Sequence, residues 1–288
     1  MDGIRLKARA KINLGLDVLG VRDNGYHEVR MIMQTVGLYD RIIMNKIREP
    51  EIQIQANLSY IPLNENNLMY KAAKLLMEEF HITGGVAMDL NKFIPVAAGM
   101  AGGSSDAATV LFGMNRMYDL GLSMEELMQR GVTIGADVPY CLMRGTALAE
   151  GIGEKLTRLA PMPHCAIVVA KPAVSVSTKM VYERLDLNGV DVHPDIDGII
   201  AGIQQKNLDM VAQKMGNVLE DVTIPMHPVI DKIKTDMMKH GAVTAMMSGS
   251  GPTVFGMFYE MKDAKKCLEY LRTAKDAKQV YTTEIYNV

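Results

Sequence analysis

The sequence predicts an α+β protein with two parts. Three observations carry that expectation: a β-rich first quarter, a strand, glycine-rich loop and helix in direct succession before the midpoint, and a C-terminal half in which strand and helix patterns mix without regular alternation. At 288 residues, 48% of them hydrophobic, the chain can form one large or two ordinary domains with a sizeable core. Glycines and the Pro161-Met-Pro163 break place the division near residues 155 to 160, giving expected domains of 1–158 and 159–288.

Ile4 to Leu19 alternates as a strand or two, and the offset of two between Lys11 and Asn13 puts both on one face. Lys11, flanked by Ala10 and Ile12, reads equally as a functional cation and as a lysine snorkelling outward from a strand end. Asn24-Gly25 marks a turn that displays Tyr26 and His27, a ring and an imidazole suited to stacking on and hydrogen-bonding a planar ligand. Packing over a hairpin accounts for the pair equally well. Val29 to Leu38, Arg41 to Met44 and Glu51 to Ala56 read as further strands. Asn64 to Asn67 can cap a helix in which Leu68, Ala72, Leu75 and Leu76 form an apolar stripe.

Val86 to Leu90 alternates as a strand and leads into PVAAGMAGGSSDAA, Pro95 to Ala108. Gly99, Gly102 and Gly103 permit backbone angles through which consecutive N–H groups converge on an anion, and Ser104 and Ser105 add hydroxyl donors. Ala107, Ala108, Leu111, Met114 and Tyr118 recur at helical spacing, so the positive end of that helix would face the same anion. No Lys-Ser or Lys-Thr follows the glycines, which excludes a Walker loop, and their spacing does not fit G-x-G-x-x-G. A glycine-serine loop alone is more often a simple turn that caps a helix.

Ser123-Met-Glu-Glu126 is a capping box for the next helix. Gly135-Ala-Asp-Val-Pro139 then isolates Asp137 between small residues and a proline, where it serves either as an N-cap or turn residue or in a reaction. Arg144 to Glu150, Glu154 to Leu159 and Ala166 to Ala170 read as strands, and Lys171 to Tyr182 begins as a loop and becomes helical. Helices follow in Ile199 to Gln205, Leu208 to Met215 and Val229 to His240, the last ended by Gly241. Thr244 to Phe258 reads strand, glycine turn, strand; Asp263 caps a final helix, and Gln279 to Tyr286 closes the chain as a strand.

A net charge of −2 supplies no field to draw the chain onto nucleic acid or anionic membrane, so polyanion binding would have to be local. The N-terminus has no apolar signal core and no run is long enough to cross a bilayer, which predicts a soluble, cytoplasmic protein. Three widely spaced cysteines suggest buried thiols rather than disulfides or zinc, and 24 methionines suggest a core filled with flexible side chains.

Together these residues resemble the GHMP small-molecule kinases over nearly the whole chain. The family's first motif is matched by Ala10-Lys-Ile-Asn-Leu14, its phosphate loop by Pro95 to Ala108 and its third motif by Ser248-Gly-Ser-Gly-Pro-Thr-Val-Phe255. Gly25-Tyr-His27, Asn66-Asn-Leu68 and Gly135-Ala-Asp-Val-Pro139 resemble, in combination, the branch whose acceptor is methylerythritol linked to cytidine diphosphate. The resemblance implies an N-terminal domain like the second domain of ribosomal protein S5, a ferredoxin-like C-terminal domain, and ATP with Mg²⁺ as cofactors.

Residue by residue, it implies that Asp137 and Lys11 are catalytic. ATP would be held by Asn67 and Lys92 near the adenine, and by Pro95, Ala97, Ala98, Gly99, Met100, Ala101, Gly102, Gly103, Ser104 and Ser105 at the phosphates. Tyr26 and His27 would bind cytosine with Tyr182 as a second aromatic, while Asn13, Asp137 and Thr178 would face the rest of the acceptor. Metal ligands are not assigned. Ala97, Ala98 and Ala101 stand where relatives often have glycine, and Val218 in Gly216-Asn-Val-Leu-Glu220 stands where they often have Asp. Asp106 either caps backbone N–H groups or helps hold Mg²⁺, the cap being preferred because a carboxylate aimed at phosphates would repel them. A monomer or weak homodimer, with no nucleic acid or membrane partner, is expected. A homoserine or mevalonate kinase, a non-catalytic metabolite binder and an S5-like RNA-binding protein remain as alternatives, the last without a visible basic stripe interleaved with aromatics.

Overall fold

The computed structural model describes residues 2–288. Two long strands, β1 (Gly3–Val21) and β2 (His27–Ile47), dominate the first quarter, where shorter strands are expected from the sequence. The chain separates into two compact units. Unit 1 holds the residues up to Ala10, Leu38–Val96 and Ala101–Met143; unit 2 holds Lys11–Gly37, Ala97–Met100 and Arg144–Val288. The division falls within β1 and β2, each of which contributes residues to both units.

In unit 1, β2 is followed by β3 (Ile52–Ala56), α1 (Leu68–Glu79), β4 (Gly85–Asn91), α2 (Gly102–Tyr118), α3 (Met124–Ile134) and α4 (Val138–Met143). Strand β4 pairs parallel to β3 from Ile52↔Val86 to Ala56↔Leu90, and antiparallel to β2 from Arg41↔Asn91 to Ile47↔Gly85. Alternation buries Ile42, Met44, Met88 and Leu90 on one face. Helix α2 lies on that face: a β-carbon at Gly113 would stand 2.4 Å from the Met44 sulfur. Asn67 caps α1 by accepting from Met69 N–H, and Ser123 with Glu126 forms the expected capping box of α3. Helix α4 is missed from the sequence because it is only six residues long, although Asp137 and Pro139 stand where a helix start would put them.

Unit 2 continues through β5 (Thr146–Gly151), β6 (Lys155–Arg158), β7 (Ala166–Pro172), α5 (Thr178–Arg184), α6 (Ile196–Gln204), α7 (Leu208–Lys214), β8 (Gly216–Asn217), α8 (Glu220–Met226), α9 (Val229–Lys239), β9 (Thr244–Met247), β10 (Val254–Phe258), α10 (Met261–Ala274) and β11 (Ala277–Glu284). The first part of β2 pairs antiparallel with β5, and Gly15 and Leu16 of β1 pair parallel with β8. Strands β11, β7, β10 and β9, in that order, form an antiparallel sheet on which α9 and α10 pack. Asp263 does not cap α10: Glu260 is the N-cap, and Asp263 sits in the first turn, where its charge still favours the helix dipole. All three cysteines are buried free thiols. Methionine serves in part as core filler: among the described residues, 13 of the 23 methionines are buried.

Candidate active site

The glycine loop is strained where the sequence lacks glycine. Ala97 and Ala101 hold φ of 50° and 53°, left-handed angles that cost residues with a β-carbon roughly 1–2 kcal/mol each. Such strain is retained where backbone direction matters to a ligand. Ala101 is also the N-cap of α2 and offers no side-chain acceptor, so the first N–H groups of that helix stay open. Ser105 Oγ donates to Arg9 O at 2.6 Å and is buried, whereas Ser104 is half-buried on the same helical turn.

In unit 1, the Asp137 turn lies beside that helix end. A β-carbon at Gly135 would stand 3.9 Å from Ser104 Oγ, so Gly135 to Asp137 runs next to the first turn of α2. Asp137 is half-buried, and its carbonyl accepts from Cys141 N–H to open α4.

Lys92 and Asn67 have their polar atoms engaged. The Lys92 ammonium donates to Asp40 Oδ2 at 2.5 Å and Asp106 Oδ2 at 2.6 Å, in a cluster that is almost fully buried. Burial alone would lower the Lys92 pKa, but the charges of Asp106 and Asp40 outweigh it and raise it. Burial pushes the Asp106 carboxyl up to about 8, against the pull of Lys92. The cap expected of Asp106 is corrected: its Oδ2 meets Lys92, its Oδ1 has no hydrogen-bond partner, and no side chain caps α2. Asn67 accepts from Met69 N–H and donates to Pro62 O.

In unit 2, Lys11 and Asn13 share one face of β1 as expected, the Lys11 ammonium donating to Asn13 Oδ1 at 2.7 Å. Both are buried, and Asn13 Nδ2 contacts the Met31 sulfur at 3.3 Å. Lys11 N–H donates to Met100 O, and Ser248 Oγ donates to Gly99 O at 2.9 Å, so the Ala97–Met100 part of the glycine loop is held by β1 and the third motif. Asn217, which sequence reasoning passes over, fixes the third motif: its amide donates to Met247 O and Gly249 O while its oxygen accepts from Leu219 N–H. Asp40 is missed as well, because a lone acid in a strand pattern carries no signal of its partners.

Tyr26 is exposed on the turn after Gly25, whose φ is 80°. The His27 and Tyr182 rings touch, with centroids 5.0 Å apart and tilted by 50°, which leaves no slot between them for a third ring. Thr178 opens α5 and shares a hydrogen bond with Ser250 Oγ at 2.8 Å.

An open helix end with an acid turn beside it in unit 1 and, in unit 2, a buried lysine held on a strand are groups of the kind a phosphoryl-transfer class of protein employs. The chain belongs to the GHMP kinases: the family's N-terminal domain matches residues 67–145 and its C-terminal domain residues 199–277. More particularly, it is 66% identical to 4-diphosphocytidyl-2-C-methyl-D-erythritol kinase of Lachnospira eligens, over 99% of both chains. It is 53% identical to the kinase of the same name from Lachnoclostridium phytofermentans, covering 99% of this chain and 98% of that one. A crystal structure of 4-(cytidine 5'-diphospho)-2C-methyl-D-erythritol kinase superposes with a TM-score of 0.86 at 30% identity, covering 99% of this chain and all of that one. Homoserine kinase from Cytophaga hutchinsonii, at 18% identity and a TM-score of 0.76, shares the fold.

Proposed function

We propose that this kinase transfers the γ-phosphoryl group of ATP to the 2-hydroxyl of 4-diphosphocytidyl-2-C-methyl-D-erythritol, a step in the methylerythritol phosphate route to isopentenyl diphosphate. The observation that carries the mechanism is the Asp137 turn lying beside Ser104 at the open end of α2. As the acceptor oxygen bonds to the γ-phosphorus, the bond to the β-phosphate oxygen breaks, ADP leaves and the hydroxyl proton passes to Asp137. Lys11 is assigned to offset charge on the phosphoryl group, its ammonium held on the strand by Asn13. Backbone N–H groups from Ala97 to Gly103 and the Ser104 hydroxyl are assigned to the phosphates.

Mg²⁺ fits this chemistry, since Ser104 is an oxygen donor beside the phosphate helix; the metal would be held by that hydroxyl and the phosphate oxygens, neutralising charge on them. Lys92 and Asn67 shape the nucleotide wall, their polar atoms being engaged within the protein. Ser104→Ala should raise the ATP KM about tenfold or more, the worth of a hydrogen bond to a charged group. Ser105→Ala should instead lower stability by about 1 kcal/mol and leave that KM unchanged, because its hydroxyl serves Arg9 O.

Tyr26, His27 and Tyr182 are assigned to cytosine, and Asn13 and Thr178 to the remainder of the acceptor. Residues 159–288 complete the acceptor side through Thr178 and Tyr182. All assigned residues belong to one chain, so a monomer or weak homodimer in the cytoplasm suffices. ADP release from ATP tests the reading with three acceptors. Turnover with the cytidine-linked acceptor and none with mevalonate or homoserine is expected; preference for either of the others would overturn it.

A further inference from the structure

The buried Lys92 cluster performs no step of the reaction, yet it ties together three segments of unit 1. Asp40 on β2 has a fully buried side chain. Its Oδ1 accepts from Phe93 N–H at 2.5 Å and Ile94 N–H at 2.8 Å, and its Oδ2 accepts from the Lys92 ammonium. Phe93 and Ile94 belong to no helix or strand, so this carboxylate stands in for the sheet partners their N–H groups lack. The same ammonium reaches Asp106 in α2, and a β-carbon at Gly102 would stand 2.9 Å from it. Asn57 adds a second clasp: its side chain accepts from Lys92 N–H and donates to Lys92 O.

Stability alone does not explain such an arrangement. Burying one cation between two carboxylates removes three groups from water, and well-packed apolar residues in their place are often as stable or more so. What charged, directional contacts supply is a fixed geometry. Here they set the distance between the segment entering the glycine loop and the first turn of the helix leaving it.

We propose that Asp40 is a positioning residue for the nucleotide, clamping residues 92–94 and, through Lys92 and Asp106, the start of α2 at the spacing the ATP phosphates require. The inference rests on the assignment of that loop to ATP. It gives Lys92 a role in holding phosphate geometry rather than in reading the base.

Asp40→Asn keeps an acceptor for the two N–H groups but turns an amide toward the ammonium. Its ATP KM should rise tenfold or more while the acceptor KM stays within twofold, and inhibition by inorganic triphosphate, which has no base, should weaken by the same factor. Lys92→Met should behave alike. An ATP KM within twofold of wild type, a parallel rise in both substrate KM values, or unchanged triphosphate inhibition beside a raised ATP KM would overturn the proposal. Should Asp40→Asn fail to fold, Asp106→Ala, which removes the second acceptor of the Lys92 ammonium, takes its place in the same measurements, and the same results support or overturn the clamp. Wild-type turnover with ATP, run alongside, separates failure of this clamp from failure of the ATP assignment.

Discussion

Asp137→Asn should lower kcat about a thousandfold, while ADP should raise the melting temperature of the variant by as much as that of wild type. The expected size follows from losing proton acceptance at the reacting hydroxyl, typically worth 10²–10⁴ in rate. Asparagine preserves the shape of the turn, whose backbone is fixed independently of the carboxylate by the Cys141 N–H bond to the residue 137 carbonyl. A change confined to turnover therefore reports charge and proton transfer rather than folding. Turnover within tenfold of wild type would remove Asp137 from the chemical step and leave positioning and phosphate neutralisation as the whole of catalysis.

Gly99→Ala should abolish ATP binding and destabilise the fold. Gly99 has a φ of 71°, and an added β-carbon would lie 2.0 Å from Ser248 O, a backbone atom that cannot rotate aside. Left-handed strain and overpacking each contribute about 1–3 kcal/mol, so a loss on the order of 3 kcal/mol is expected. Relief would require the third motif to retreat, but Asn217 holds it through Met247 O and Gly249 O. Chemical denaturation of Gly99→Ala measures the loss. Ala97→Gly serves as the contrasting control, since it relieves a φ of 50° rather than imposing one. Unchanged denaturation of Gly99→Ala would show that the two motifs separate easily.

Much of the fold was legible because its signals are local. Asn67 caps α1, the box from Ser123 to Glu126 starts α3, and Gly241 follows α9 in the left-handed conformation, each decided by residues within a few positions. Two short elements were not legible: α4 runs only six residues, and α8 runs seven with Pro225 inside it and no side-chain cap, whereas α7, equally short, was legible. The lengths of β1 and β2 were not legible either, because strand continuity depends on which neighbours pair along them.

The site divides in the same way. That Lys11 and Asn13 share a strand face and that Tyr26 and His27 follow a turn were readable from spacing, because side-chain face follows from local geometry; the roles of these residues, of Asp137 and of the glycine loop came from the family resemblance. Asp106 was misread as a cap, since a carboxylate early in a helix has a local explanation that its tertiary partner overrode. Asp40 meets Lys92 across 52 positions, and Asn217 meets Gly249 across 32. Buried polar groups take whatever complementary partner the packed fold brings within about 3 Å, and sequence separation places no limit on that choice. The sequence therefore determined the kind of chemistry and most of the groups that carry it. Only the tertiary structure decided which polar groups are already paired: Ser105 with Arg9 O, and Lys92 with Asp40 and Asp106, because packing brings those partners together across the chain.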